Sequence, residues 1–315
     1  MIRKITVIIF ILIPVITFSQ QLPQYTQYMF NKIAYNPGFT GFGQGICVSG
    51  LMRQQWMGFT ETDQDGNSEK VAPETYLISI HSPVKFLRGG LGANITQDKI
   101  AFQNNISLDL MYSYHASVGS GDMGIGLQLS LLNKNIDFSK FDPIDSNDPL
   151  LNGKAEESDM IFNVGLGLYY QVPDTYYLGL SVLQLWGTKP DMESTAAKLV
   201  PQINLIGGYE FAFPNAPSFT VLPSLMVKTD GVSMQFDLST LLSYRNQFWG
   251  GISYRYQDAI AIILGMEFKN FNIGYSYDIN VSSIGSWGSN EIRLGYCFKI
   301  EVDKFKKVYR NTRFL

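Results

Sequence analysis

From about residue 44 to residue 299 the chain alternates apolar and polar positions with a period of two, in run after run. Near residue 105, Ile106, Leu108, Leu110, Tyr112 and Tyr114 fall on one face, and Ser107, Asp109, Met111, Ser113 and His115 on the other. The next run sets Met123, Ile125, Leu127, Leu129 and Leu131 against Gly124, Gly126, Gln128 and Ser130. Fourteen such runs begin near residues 44, 74, 89, 105, 121, 160, 176, 201, 218, 232, 248, 259, 270 and 289. They predict fourteen strands and an all-β fold.

Alternation alone does not say where the apolar face points, because a soluble β-sandwich alternates too. The polar faces decide. A sandwich carries Lys, Glu and Thr toward bulk water, whereas these faces carry mostly Gly, Ser, Asn and Gln. Small uncharged residues suit a lumen, and Leu, Ile, Phe and Tyr at every other position suit lipid. Ten residues at about 3.4 Å each, tilted by about 45°, rise roughly 24 Å, the height of the apolar band of an outer-membrane barrel. Closing the sheet pairs every backbone group in hydrocarbon, which an open sheet does not. The expected architecture is a transmembrane antiparallel β-barrel over residues 44–300.

Connection lengths agree with that reading. With the N-terminus in the periplasm, the odd connections face outward, and three of them, 58–73, 133–159 and 186–200, are the longest in the chain. The inward turns VPDT (172–175), PNAP (214–217), YRNQ (244–247) and KN (269–270) are compact. The late outward connections, 229–231 and 257–258, are short and leave a low rim there.

Residues 1–19 read as a secretory signal peptide. Arg3 and Lys4 precede an apolar run, Ile5 to Ile16, and Thr17 and Ser19 are small enough for cleavage before Gln20. That run falls short of the roughly 20 residues a helical span needs. Composition adds that charged residues are only 16% while aromatics reach 14%, against about 25% charged in an average soluble domain. A net charge of −3 gives no basic footprint for nucleic acid.

Little points to catalysis. His81 and His115 stand singly on lumen-facing positions, and no GxSxG elbow occurs. No enzyme activity, cofactor or metal is expected. The acidic stretch DPIDSND (142–148) lacks the glycine turn and closing glutamate of a calcium loop and reads as solvated. Cys47 and Cys297 lie on the first and last strands, neighbours in a closed barrel, both in lumen phase. They form either a cross-strand disulfide, permitted in an oxidising compartment, or two small buried side chains in offset register.

Two segments flank the barrel. Residues 20–43 hold Tyr25, Tyr28, Met29, Phe30 and Tyr35, too apolar for a free tail, among Gln and Asn that match a polar lumen. They are expected to fold back into the barrel from the periplasmic side as a plug, with Asn36 and Pro37 turning into the first strand. Residues 301–315 form a basic periplasmic tail, with Lys304, Lys306, Lys307, Arg310 and Arg313 offered to a periplasmic partner. Arg245 and Arg255 are candidates for the lumen or its mouth, with Asp237 and Asp278 as lumen acids to pair with them.

Several stretches carry a resemblance: PQYTQYMFN (23–31), NPGFTG (36–41), RQQW (53–56), LPSLMVK (222–228), YRNQFWGGISYR (244–255), NIGYSYD (272–278) and GSNEIRLGY (288–296). Together they resemble the PorP/SprF family of the type IX secretion and gliding machinery. Asn290 stands where histidine is common, and Gly38, Phe39 and Thr40 replace smaller residues. The resemblance implies an outer-membrane, cell-surface barrel with lipid around it. It also implies that the barrel serves protein secretion and gliding motility, acting with cargo proteins such as adhesins and with periplasmic components of the machine. Two other readings stay open. One is a channel for hydrophobic small molecules, with Pro223 as the wall position where a ladder would break. The other is a purely structural scaffold.

Overall fold

A computed structural model describes residues 22–43, 45–62, 66, 68–141, 156–187, 190, 198–282 and 287–299. The expected signal peptide, the stretch 142–148 and the tail with Lys304, Lys306, Lys307, Arg310 and Arg313 lie outside these residues.

Fourteen long strands run in sequence order around a closed antiparallel barrel. They are β1 Gly45–Gln54, β2 Glu74–Val84, β3 Gly89–Ile100, β4 Gln103–Val118, β5 Gly121–Asp137, β6 Glu156–Val172 and β7 Tyr176–Leu183. The second half comprises β8 Gln202–Tyr209, β9 Ala216–Thr229, β10 Met234–Tyr244, β11 Phe248–Arg255, β12 Ala259–Phe268, β13 Phe271–Asn280 and β14 Ser289–Lys299. β14 returns to β1 in continuous register from Gly45↔Lys299 to Gln54↔Asn290, so no sheet edge is left open at the seam. Cys47 and Cys297 face each other in that register and are joined by a disulfide, with their Cα atoms 4.1 Å apart.

The two faces separate as the period of two requires. Ile78, Leu91, Leu110, Leu127, Leu166, Leu238, Ile252 and Leu264 all point outward and are exposed. Such an apolar belt has hydrocarbon as its solvent. Lumen positions around the wall, such as Ser79, Asn94, Ser113, Asn163, Ser181, Asn204, Ser239 and Ser276, are buried. The turns 173–175, 245–247 and 269–270 lie at one end, here the turn end, where both chain termini of the barrel also lie. There Tyr209, Phe211, Phe213, Phe219, Tyr244, Phe248, Phe268, Phe271 and Phe298 stand exposed in an aromatic girdle. Arg245 and Asn246 both take left-handed φ (53° each), and the Gln247 amide donates to the Tyr244 carbonyl at 3.0 Å, so a tight turn closes this hairpin with the twist its strands need.

The opposite, loop end is uneven. β4, β5 and β6 are 16 to 17 residues long, while β11 has 8. The predicted loop 133–159 is therefore shorter than its sequence suggests, because strand pairing continues to Asp137↔Glu156. Polar residues past the membrane height keep their ladder partners, and polarity alone misplaced the strand ends. The first long connection contains a small hairpin of its own, Thr60–Thr62 against Ser68–Lys70.

The seam disulfide is directly testable. Intact mass of the full chain after alkylation without reductant should be unchanged, and prior reduction should add two alkyl groups; adducts without reductant would contradict the bond.

Candidate functional site

What fills the lumen is the segment Leu22–Phe42. Three short turns of 3-10 helix, Tyr28–Phe30, Lys32–Ala34 and Pro37–Phe39, let it coil inside without a sheet or a long helix. Tyr25, Tyr28, Tyr35 and Phe42 are buried and form one cluster with wall residues Leu77, Tyr169, Met226, Leu241 and Trp249. Aromatic rings meet across the boundary: Phe30 with Trp249 at 5.0 Å, Phe39 with Tyr169 at 5.2 Å, and Phe42 with His115 at 4.2 Å. His81 likewise sits against Phe39, ring centroids 5.5 Å apart.

The segment's backbone, lacking a ladder, is satisfied partly within its own turns and partly by polar lumen side chains. Ser113 donates to the Gly38 carbonyl at 2.9 Å and Ser181 to the Tyr35 carbonyl at 2.5 Å. His115 Nε2 lies 2.9 Å from the Thr40 carbonyl, and Asn36 Nδ2 donates to the Leu168 carbonyl at 3.0 Å. Wall glycines give the segment its seat. A Cβ on Gly126 would run into the backbone of Pro37 and Gly38, and one on Gly90 into that of Thr40 and Gly41. Here the strand glycines are places where two backbones nearly touch.

The segment runs the height of the lumen. Thr26 lies among residues at the loop ends of β1, β11, β13 and β14, whereas Thr40 and Phe42 meet His115 near the turn end of β4. The amino-terminal part thus reaches the loop end, and the segment leads from there to the turn end. Asn36 and Pro37 do make a turn, with Asn36 Oδ1 accepting from the Gly38 amide at 2.8 Å. They do so inside the lumen. Entry to β1 is turned by Gly41 and Gly43, whose φ values of 81° and 128° suit glycine alone.

At the loop end a buried charge network locks the segment to the wall. The Thr26 hydroxyl donates its one proton to the Asp278 carboxylate, both oxygens 2.8 Å away. It accepts from Arg53 Nη1 at 2.7 Å and from Arg255 Nη2 at 3.2 Å. One donor and two acceptor sites are all a hydroxyl has, so this oxygen is saturated. The Thr26 and Gln27 amides each donate to Glu291 at 2.8 Å. Arg53 bridges Asp278 (2.8 Å) and Glu291 (3.3 Å), and Arg255 bridges Asp237 (3.3 Å), Asp278 (3.3 Å) and Asp258 (3.1 Å). Lys228 is also buried, and its amine stands 5.3 Å from the Tyr35 ring centre. Arg53 and Arg255 thus pair with three buried carboxylates, Asp237, Asp278 and Glu291, while Lys228 and Arg293 are further buried cations without an ion pair to them among the described residues.

Of the residues singled out from sequence, Arg255, Asp237 and Asp278 come together here. Arg245 does not join them: it lies exposed in the turn between β10 and β11, over the Tyr244 ring. Thr26, Arg53, Lys228 and Glu291 were not singled out. Their signal was present, because each lies in one of the stretches that carry the family resemblance: PQYTQYMFN, RQQW, LPSLMVK and GSNEIRLGY.

Near the turn end, Lys32 reaches a cavity of about 260 Å³, its amine 3.6 Å from the Tyr177 ring centre and 3.4 Å from the Tyr169 hydroxyl. Pro223 borders this cavity. On one side it keeps register with Thr240, and on the other the pairing of β8 stops at Gly208↔Ser224 and resumes at Phe211↔Val221. The irregularity is local, and the Glu210 amide within it donates to the Thr175 carbonyl at 2.6 Å.

Replacing Arg53 with Met should cost roughly 3–5 kcal/mol, the range for stranding buried charges, because Asp278 and Glu291 would keep their burial and lose a cation. Urea unfolding of the reconstituted protein measures this, and a loss below about 1 kcal/mol would contradict the network's role.

Comparisons with known proteins complete the site. No curated relative matches this sequence. Among solved structures, the toluene transporter TbuX of Ralstonia pickettii aligns over 87% of this chain and 94% of its own, with 12% identity and a TM-score of 0.49. A FadL homologue of Pseudomonas aeruginosa aligns over 88% and 95%, with 10% identity and a TM-score of 0.49. Likenesses at that level carry no argument about what this barrel binds. The family model for "Type IX secretion system membrane protein PorP/SprF" matches residues 17–296. The chain belongs to the PorP/SprF family of type IX secretion system membrane proteins, and the barrel is an outer-membrane component of that system.

Proposed function

We propose that this barrel serves type IX secretion as a plugged anchor, assisting export or surface attachment of cargo proteins such as adhesins through its outer surface. In this reading its lumen is not the conduit. The observation that carries it is the lumen itself, occupied by Leu22–Phe42 and held at the loop end by a buried network of ion pairs and hydrogen bonds around Thr26. A polypeptide passing through would have to displace that segment, stranding Asp278 and Glu291 without the Thr26 hydroxyl and the Thr26 and Gln27 amides.

The loop end, built up on β4 to β6 and low over β9 to β12, then faces the cell exterior, where cargo is retained or handed on. The turn end faces the periplasm, where the turns and the basic tail meet periplasmic components of the machine. A cleaved signal peptide delivers the chain there, and gliding motility follows where the retained cargo is an adhesin. No enzymatic step is part of this role. A route for hydrophobic solutes is less well supported, since the cavity beside Pro223 holds the Lys32 amine and Glu210.

Affinity capture of the tagged full chain from native membranes tests the reading. It should recover exported cargo and periplasmic components together, and truncation after Ile300 should lose the periplasmic partners while the barrel still inserts. Recovery of the barrel alone from membranes that are actively secreting would contradict it.

A further inference from the structure

Across the lumen from the Thr26 network lies a separate cavity of about 460 Å³, within the range of small-ligand sites. The plug bounds it at Leu22, Tyr25 and Tyr35, and the lumen faces of β3 to β6 form most of its wall. The Thr26 network takes no part in it.

Its chemistry is lopsided. Asp98 and Asp109 line it against one cation, Lys134, which already stands opposite Asp159 in the β5–β6 ladder. Asp98 receives a 2.6 Å hydrogen bond from Thr75, which leaves most of its acceptor capacity free. Two lining amides point to a ligand independently of the acids. Asn94 is only 3% exposed, yet neither its Oδ1 nor the Oδ1 of Asn105 has a hydrogen-bond partner among the described residues. Buried polar groups of this kind are ordinarily satisfied. Neighbouring strands around the wall are paired along their length, so the cavity presents side chains and no free strand edge to a visitor.

We propose that this cavity is a binding site for a cationic, donor-rich group, a primary ammonium or a guanidinium. Its source is either a small polar amine or the Lys or Arg side chain of a peptide entering from the loop end. The inference stands apart from the secretion role. Asp98 and Asp109 supply the countercharge, while Asn94 Oδ1 accepts a further N–H. Away from bulk water these charge-assisted bonds are the strong ones.

Calorimetric titration of the full chain in detergent, with four probes, tests it. Agmatine and the N-acetylated amide of Gly-Lys-Gly are the cationic probes, and the N-acetylated amide of Gly-Gln-Gly and galactose are the neutral ones. Saturable binding is expected for the cationic probes only, weakened about tenfold or more in the Asp98→Asn/Asp109→Asn variant, the loss of one good charge interaction. Tighter binding of the peptide than of agmatine assigns the source to a peptide, and the reverse order assigns it to a free amine. If the double variant does not fold, each single variant should weaken binding about threefold or more. Absence of saturable cation binding, unchanged affinity in the variants, or galactose binding as well as agmatine would each overturn the proposal.

Discussion

Charge buried in a barrel lumen has to be balanced where it stands, and that constraint organises this protein. Arg53, Arg255, Asp278 and Glu291 come from four strands and meet on one side chain, the hydroxyl of Thr26, and on the two amides at Thr26 and Gln27. Removing the plug would leave these groups in a half-empty lumen with fewer partners, and removing the wall charges would leave the Thr26 and Gln27 amides without their acceptor. Plug and barrel are one folding unit in the sense that neither satisfies its polar groups without the other.

The same constraint accounts for features that look unrelated in sequence. Glycines recur on the lumen face of β3 to β6 because the plug backbone lies directly on them at Gly90 and Gly126. Serines and asparagines recur on the lumen wall because the plug's carbonyls need donors, as Ser113 and Ser181 provide. The two histidines, which suggest chemistry when met in a list, pack against plug rings, and His115 also reaches the Thr40 carbonyl. On the outside, hydrocarbon imposes the opposite demand, and every other residue is apolar. At the seam, the disulfide joins the strands furthest apart in sequence.

Much of this was legible without coordinates. Period-two alternation marks all fourteen strands and both their faces, since a lipid-facing wall tolerates few exceptions. Strand ends were less legible: β5 and β6 pair on to Asp137↔Glu156 because polar residues can continue a ladder above the membrane. That the aromatic stretch 22–42 occupies the lumen follows from its composition, but its direction does not, because Gln and Asn match a polar lumen at any depth. Arg255 and Asp278 could be paired from their strand phase. Thr26 could not be placed with Glu291, since 265 residues separate them and nothing in either local pattern refers to the other. The clue lay in the stretches shared with the family, several of which contribute a member to the network: Thr26, Arg53, Lys228, Arg255, Asp278 and Glu291.

Single-channel recording in planar bilayers addresses the filled lumen most directly. The full chain should show little conductance, and deleting residues 21–35 should raise it at least severalfold, with the barrel still inserted. Equal conductance before and after the deletion would contradict the account.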